Sequence, residues 1–90
     1  MLTWTTEEVA DILEVTPGAV RMWIHKKWLR AVKTSNKDGN RIRETSLLGF
    51  MDEHPKYRQI FLHKLHNTAT IGGLDSKEVY NYLNKKGYLT

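Results

Sequence analysis

Only three residues, Glu14, Val15 and Thr16, separate two stretches that each carry their own helix-start signal, and this short link limits the fold more than any other feature of the chain. In the first stretch Thr5 supplies a capping oxygen, Glu8 stands at the reciprocal capping-box position, and Trp4 can staple onto Val9. In the second, Thr16 caps, Pro17 occupies the first helical position where its missing N–H costs nothing, and Val15 can staple onto Val20. The spacing predicts a helix over Thr6–Leu13 that buries Val9, Ala10, Ile12 and Leu13 and turns Glu7, Glu8, Asp11 and Glu14 to water. A second helix over Pro17–Lys26 presents Val20, Trp23 and Ile24 inward, with Gly18, Arg21, Met22 and His25 sharing the opposite face. Joined so closely, the two must cross at a steep angle, as in a helix-turn-helix.

After Trp28 and Leu29 the period changes from helical to extended. Ala31–Thr34 and Arg41–Arg43 read as two strands of a hairpin, with Val32 and Ile42 inward and Lys33, Arg41 and Arg43 outward. Asp38-Gly39 in the polar connection tolerates positive φ. A short third helix from Glu44 or Thr45 to Glu53 returns Leu47, Phe50 and Met51 to the core, and Pro55 ends or kinks it. Lys56–His66 reads as an amphipathic helix, residues 67–73 as a loop, and Asp75 as the cap of a last helix to Lys86, stopped by Gly87. Trp23 and Trp28 are expected to pack in the core and at the hinge. The expected class is mostly α with a two-stranded β-hairpin.

Charge is distributed unevenly. Residues 1–20 carry four acids and no base, whereas residues 21–43 carry eight of the fourteen Lys and Arg residues against the single acid Asp38. Such a density repels itself unless a polyanion lies against it. The 90 residues, 40% hydrophobic and 27% charged, suit one compact core or one core with a small appendage, and the absence of cysteine excludes disulfides and thiolate zinc sites. No apolar run is long enough to span a bilayer, and the first residues lack the basic-then-apolar order of a leader, so a cytoplasmic location is expected. His63 and His66 are spaced i, i+3 with His54 upstream, but no nearby acid completes a zinc set. Neither a phosphate loop nor a nucleophile elbow is present, so no enzyme and no cofactor is expected.

The order helix, tight turn, helix, basic hairpin, short helix over Leu2 to Asp52 resembles the winged helix-turn-helix of the MerR and excisionase group. Trp4 to Leu13 is similar to that group's opening helix, Val15 to Ile24 to its second, and Arg41 to Phe50 to the return strand and following helix. Two departures stand out: Lys26-Lys27-Trp28 replaces the glycine usual after the second helix, and no long dimerising coiled coil follows. The second departure favours the smaller excisionase or phage-regulator type. The resemblance implies a DNA-binding domain over residues 1–54; residues 55–90 lie outside it and are expected to form a helical extension that packs on that domain or mediates association. It also implies sequence-specific binding of double-stranded DNA, as a transcriptional regulator or an excisionase-like recombination directionality factor with a recombinase partner.

In that reading the second helix enters the major groove. Gly18 and Ala19 permit close approach beside Thr16, Arg21 contacts guanine in bidentate fashion, Met22 meets a thymine methyl, and His25 and Lys26 reach phosphate or base. Lys33, Lys37, Arg41 and Arg43 lie along the backbone or enter a minor groove. Self-association through Tyr57, Ile60, Phe61 and Leu65, or cooperative assembly on repeated sites, would supplement a single half-site. The alternative is an adaptor that binds proteins on the same scaffold without reading DNA.

Overall fold

Capping chemistry fixes the first turn of the chain. The structure, a computed structural model, describes residues 2–35 and 39–89. Thr5 Oγ1 accepts from the Glu8 N–H at 3.1 Å while Glu8 Oε1 accepts from the Thr5 N–H at 2.8 Å, closing the capping box of α1 (Thr6–Leu13). Thr16 Oγ1 accepts from the Ala19 N–H at 3.1 Å and starts α2 (Pro17–His25). Each such cap is worth about 1 kcal/mol. The expected apolar faces turn inward: Val9, Ala10, Ile12 and Leu13 on α1 and Val20 and Trp23 on α2 are buried, while Ile24 is half-buried against the core.

Trp4 does more than staple. It is the centre of β1 (Thr3–Thr5), which pairs antiparallel with β3 (Gly39–Arg43), Trp4 lying opposite Ile42. β2 (Ala31–Ser35) pairs with the other edge of β3, so the sheet has three strands in the order β1-β3-β2 where the sequence predicts two. Three residues are too short a run for alternation to reveal a strand, and β1 forms only because β3 offers it a free edge.

The register also corrects the hairpin. Ala31 lies opposite Ile42 and Val32 opposite Arg41, so Val32 shares the outer face with Arg41 and Arg43, not the core face with Ile42. Lys33 lies opposite Asn40, on the Ile42 side, and is exposed.

The rest follows as α3 (Glu44–Glu53), α4 (Pro55–Asn67), β4 (Thr70–Ile71), β5 (Leu74–Asp75) and α5 (Ser76–Lys85). Residues 67–73, expected as a loop, contain half of a small hairpin whose turn is Gly72-Gly73, at φ 56° and 79°. Asp75 caps α5 through the Glu78 N–H at 3.1 Å. The described residues thus make a mixed α/β globule of five helices, a three-stranded antiparallel sheet and a two-stranded hairpin.

A single core runs through both parts of the chain. Trp4 meets Phe61 of α4 edge-on, with centroids 6.4 Å apart, and Leu65, Ile71, Val79 and Leu83 join the same cluster. Phe61 and Leu65 are therefore committed to the core and unavailable for the self-association predicted through them. Trp23 packs on Phe50 at 4.6 Å and Tyr57 at 5.2 Å, as a core residue should.

One acidic side chain is buried between the two ends of the chain. Glu44, 2% exposed, accepts from the Leu2 N–H at 2.6 Å and from the Tyr82 hydroxyl at 3.0 Å, joining the N-terminus to α5 through the start of α3. Desolvation, followed by the Glu44 hydrogen bond and charge, raises the pKa of Tyr82 above its usual 10.0.

Two expected outcomes follow. An added Cβ at Gly72 would sit under 3.0 Å from the Trp4 ring and Ile12, at positive φ, so Gly72→Ala should cost about 2–4 kcal/mol in denaturant unfolding. Because the folded pKa of Tyr82 is raised, its contribution is full below pH 10.0 and is lost as pH rises through the folded value. Tyr82→Phe should therefore remove part of the alkaline fall in stability, read as the difference between wild-type and variant melting curves.

Candidate nucleic-acid interface

The outward side of α2 follows from its two-sided pattern. With Val20 and Trp23 turned into the core, Gly18, Arg21, Met22 and His25 are all exposed, Met22 by 47%. Thr16 is exposed but its hydroxyl is engaged as the cap, and Ala19 is half-buried. A Cβ at Gly18 would meet nothing closer than Thr16 Oγ1 at 3.8 Å, so the glycine leaves room for an approaching surface without relieving an internal clash.

Arg21 is 3.8 Å from Glu7, with both side chains more than 60% exposed. An ion pair so open to water is worth about 0–1 kcal/mol, which leaves the guanidinium exchangeable toward another anion.

On the hairpin, Arg41 is held more firmly. Its Nε and Nη2 donate to Thr3 Oγ1 of β1 at 3.2 and 3.0 Å, and the residue is half-buried, so the guanidinium is oriented across the outer face of the sheet. Arg43 is exposed on the same face. Lys33 belongs to the other side of the ribbon, and Lys37 lies outside the described residues. The candidate set therefore divides into an α2 patch and a sheet patch carrying Arg41 and Arg43.

The connection between them holds cations that sequence reasoning passed over. These are Lys27 and Arg30, which line one groove together with the expected Arg43 and with Trp28, Thr45 and Ser46. A neighbouring depression, lined by Ile24, Lys27, Leu29, Arg30 and Ala31, carries the surface from the end of α2 to β2. Ser46 Oγ accepts from the Arg30 N–H at 2.8 Å and fixes the turn against α3. Trp28, expected at the hinge, is 49% exposed; Lys26 Nζ sits 4.8 Å from its ring centroid. The available signal was the missing glycine after α2. The chain closes α2 with the same pair of backbone bonds that ends α5: Trp28 N–H to Trp23 O at 2.9 Å and Lys27 N–H to Ile24 O at 3.1 Å, matching Tyr88 to Leu83 and Gly87 to Asn84. At α5 the left-handed position is Gly87, φ 80°, whereas at α2 it is Lys27, φ 67°. The exit geometry that glycine would serve is therefore kept, by a residue that is strained there.

Among the described residues no group of three or more His, Asp or Glu side chains gathers to hold a metal, and no helix is long and apolar enough to cross a membrane. No protein-family model, no curated protein and no solved structure matches this chain.

Replacing Lys27 by glycine should stabilise the protein by about 1 kcal/mol, since a left-handed L-residue costs about that much. Chemical denaturation of Lys27→Gly beside wild type measures it; an unchanged or lowered midpoint contradicts the strain.

Proposed function

We propose that the chain is a double-stranded DNA-binding protein of winged helix-turn-helix type, of the MerR and excisionase kind, acting as a transcriptional regulator or as a recombination directionality factor with a recombinase partner. The carrying observation is the uncovered outward side of α2, where Gly18, Arg21, Met22 and His25 remain exposed although two C-terminal helices pack on the same core. Nine helical residues span about 13 Å, and a B-DNA major groove about 12 Å wide admits such a helix.

In this reading Arg21 exchanges its open pair with Glu7 for a guanine edge or a phosphate. Arg41 and Arg43, on the outer face of the sheet, neutralise backbone phosphates beside it. The base contacts confer sequence preference, and the phosphate contacts give most of the affinity. The four acids of residues 1–20 would repel a duplex laid across α1, which restricts the docking orientation.

The second reading is an adaptor that binds protein through the same scaffold without reading DNA; the half-exposed Trp28 favours it. Titration with mixed-sequence duplexes at several salt concentrations separates the two. DNA binding should weaken with salt, with a logarithmic slope of about −0.9 per phosphate neutralised, and Arg21→Glu with Arg41→Glu should weaken it on the order of a hundred-fold. Absence of duplex binding at low salt, or binding indifferent to salt and to the double reversal, would refute the reading.

A further inference from the structure

The groove beside Trp28 is longer than its cationic end. It continues past Gly49 and Phe50 to Glu53 and His54, so one trough runs along the exposed ridge of α3 from Thr45 to Glu53, with the α2–β2 turn as its other wall. Eight helical steps make it about 12 Å long, the span of roughly four extended residues. The cationic section alone holds ≈ 390 Å³.

Three features of this trough are unfavourable to the isolated fold. Lys27 occupies a left-handed position that glycine would take without strain, and it lines the trough. Gly49 lies in the middle of α3, where alanine would be more stable, yet nothing lies within 4 Å of where its Cβ would be, so no internal contact requires a glycine. Trp28 leaves about half its surface in water. In addition, no ion pair among the described residues involves Lys27, Arg30 or Arg43.

We propose that this trough docks an extended acidic segment of a partner protein, about four residues long, whose carboxylates meet Lys27, Arg30 and Arg43 and whose apolar side chain lies over Gly49 against Trp28. The charge pattern selects this occupant. A duplex strand carries a phosphate at every step and would set one beside Glu53, whereas a peptide can be acidic at one end only. The apolar floor of Val32 and Phe50 likewise offers a phosphodiester chain nothing. A second copy of this chain fits less well: the acids of its first twenty residues sit on or beside the folded α1, with Glu7 paired to Arg21 and Glu14 to Lys64. The site goes beyond the DNA reading and does not rest on it.

The probe is a capped eight-residue peptide with two aspartates ahead of one leucine in a serine and asparagine background. It is titrated into the full chain while the Trp28 indole N–H is followed by NMR. A saturating shift at Trp28 with a Kd on the order of 100 μM is expected. Arg30→Glu and Gly49→Leu should each weaken binding about ten-fold or more. Gly49→Ala should raise Tm and still weaken the peptide, which separates trough filling from misfolding. Arg21→Glu with Arg41→Glu tests the DNA reading and should leave peptide binding in place. The proposal is overturned if millimolar peptide leaves Trp28 unmoved, or if the peptide with leucine replaced by serine binds equally well. It is also overturned if the Arg21→Glu with Arg41→Glu variant loses the peptide together with the duplex, or if Trp28 is shifted instead by self-association on raising protein concentration.

Discussion

Trp4 is the point at which the otherwise separate parts of this small protein are joined. Its backbone makes β1 by pairing opposite Ile42, its ring meets Phe61 of α4, and Gly72 of the second hairpin closes over it with no room for a Cβ. Burying an aromatic ring of this size removes 150–250 Å² from water, worth about 4–6 kcal/mol. The indole N–H is buried without a hydrogen-bond partner among the described residues, a loss of about 1–3 kcal/mol. Ring burial outweighs that loss. Glu44 adds a second link between the same parts, because its carboxylate takes both the Leu2 N–H and the Tyr82 hydroxyl. The N-terminal strand, the basic hairpin and the C-terminal helices are thus tied into one body, against which α2 presents its outward side.

Electrostatics divide the surface in the same way. The acids of α1 and the cations of the α2–β2 turn and hairpin are close in sequence, yet among the described residues the ion pairs made by these acids are Glu7 with Arg21 and Glu14 with Lys64. Arg41 is instead held by a threonine hydroxyl, which orients the guanidinium without neutralising it. The turn and the outer sheet face therefore keep their positive charge. Around Trp28 that charge coincides with a strained Lys27 and an unsupported Gly49, which gives the trough a character distinct from the open face of α2.

Much of this was legible in the sequence where the determinants are local. Thr5 with Glu8, Thr16 with Pro17, and Asp75 each fix a helix start through bonds to residues three positions away, so the caps can be read directly. The exposed face of α2 follows from the 3.6-residue period alone. The register of the hairpin is not legible at Val32, because the pairing of β2 shifts between Lys33 and Ser35 and because the residue opposite Val32, Arg41, is nine positions away. The strand nature of Trp4 was hidden for the same kind of reason: its pairing partner is Ile42.

By itself, then, the sequence determined the helices, their buried sides, the short link between α1 and α2 and the concentration of positive charge between residues 21 and 43. Only the tertiary structure decided which cations stand together, that Glu44 is buried, that Phe61 and Leu65 belong to the core, and that Trp28 and Gly49 line one trough. The difference is one of range. Capping and periodicity act within one or two turns of chain, whereas pairing of β1 with β3, the Glu44 bonds and the trough join residues that meet only after the chain has closed on itself.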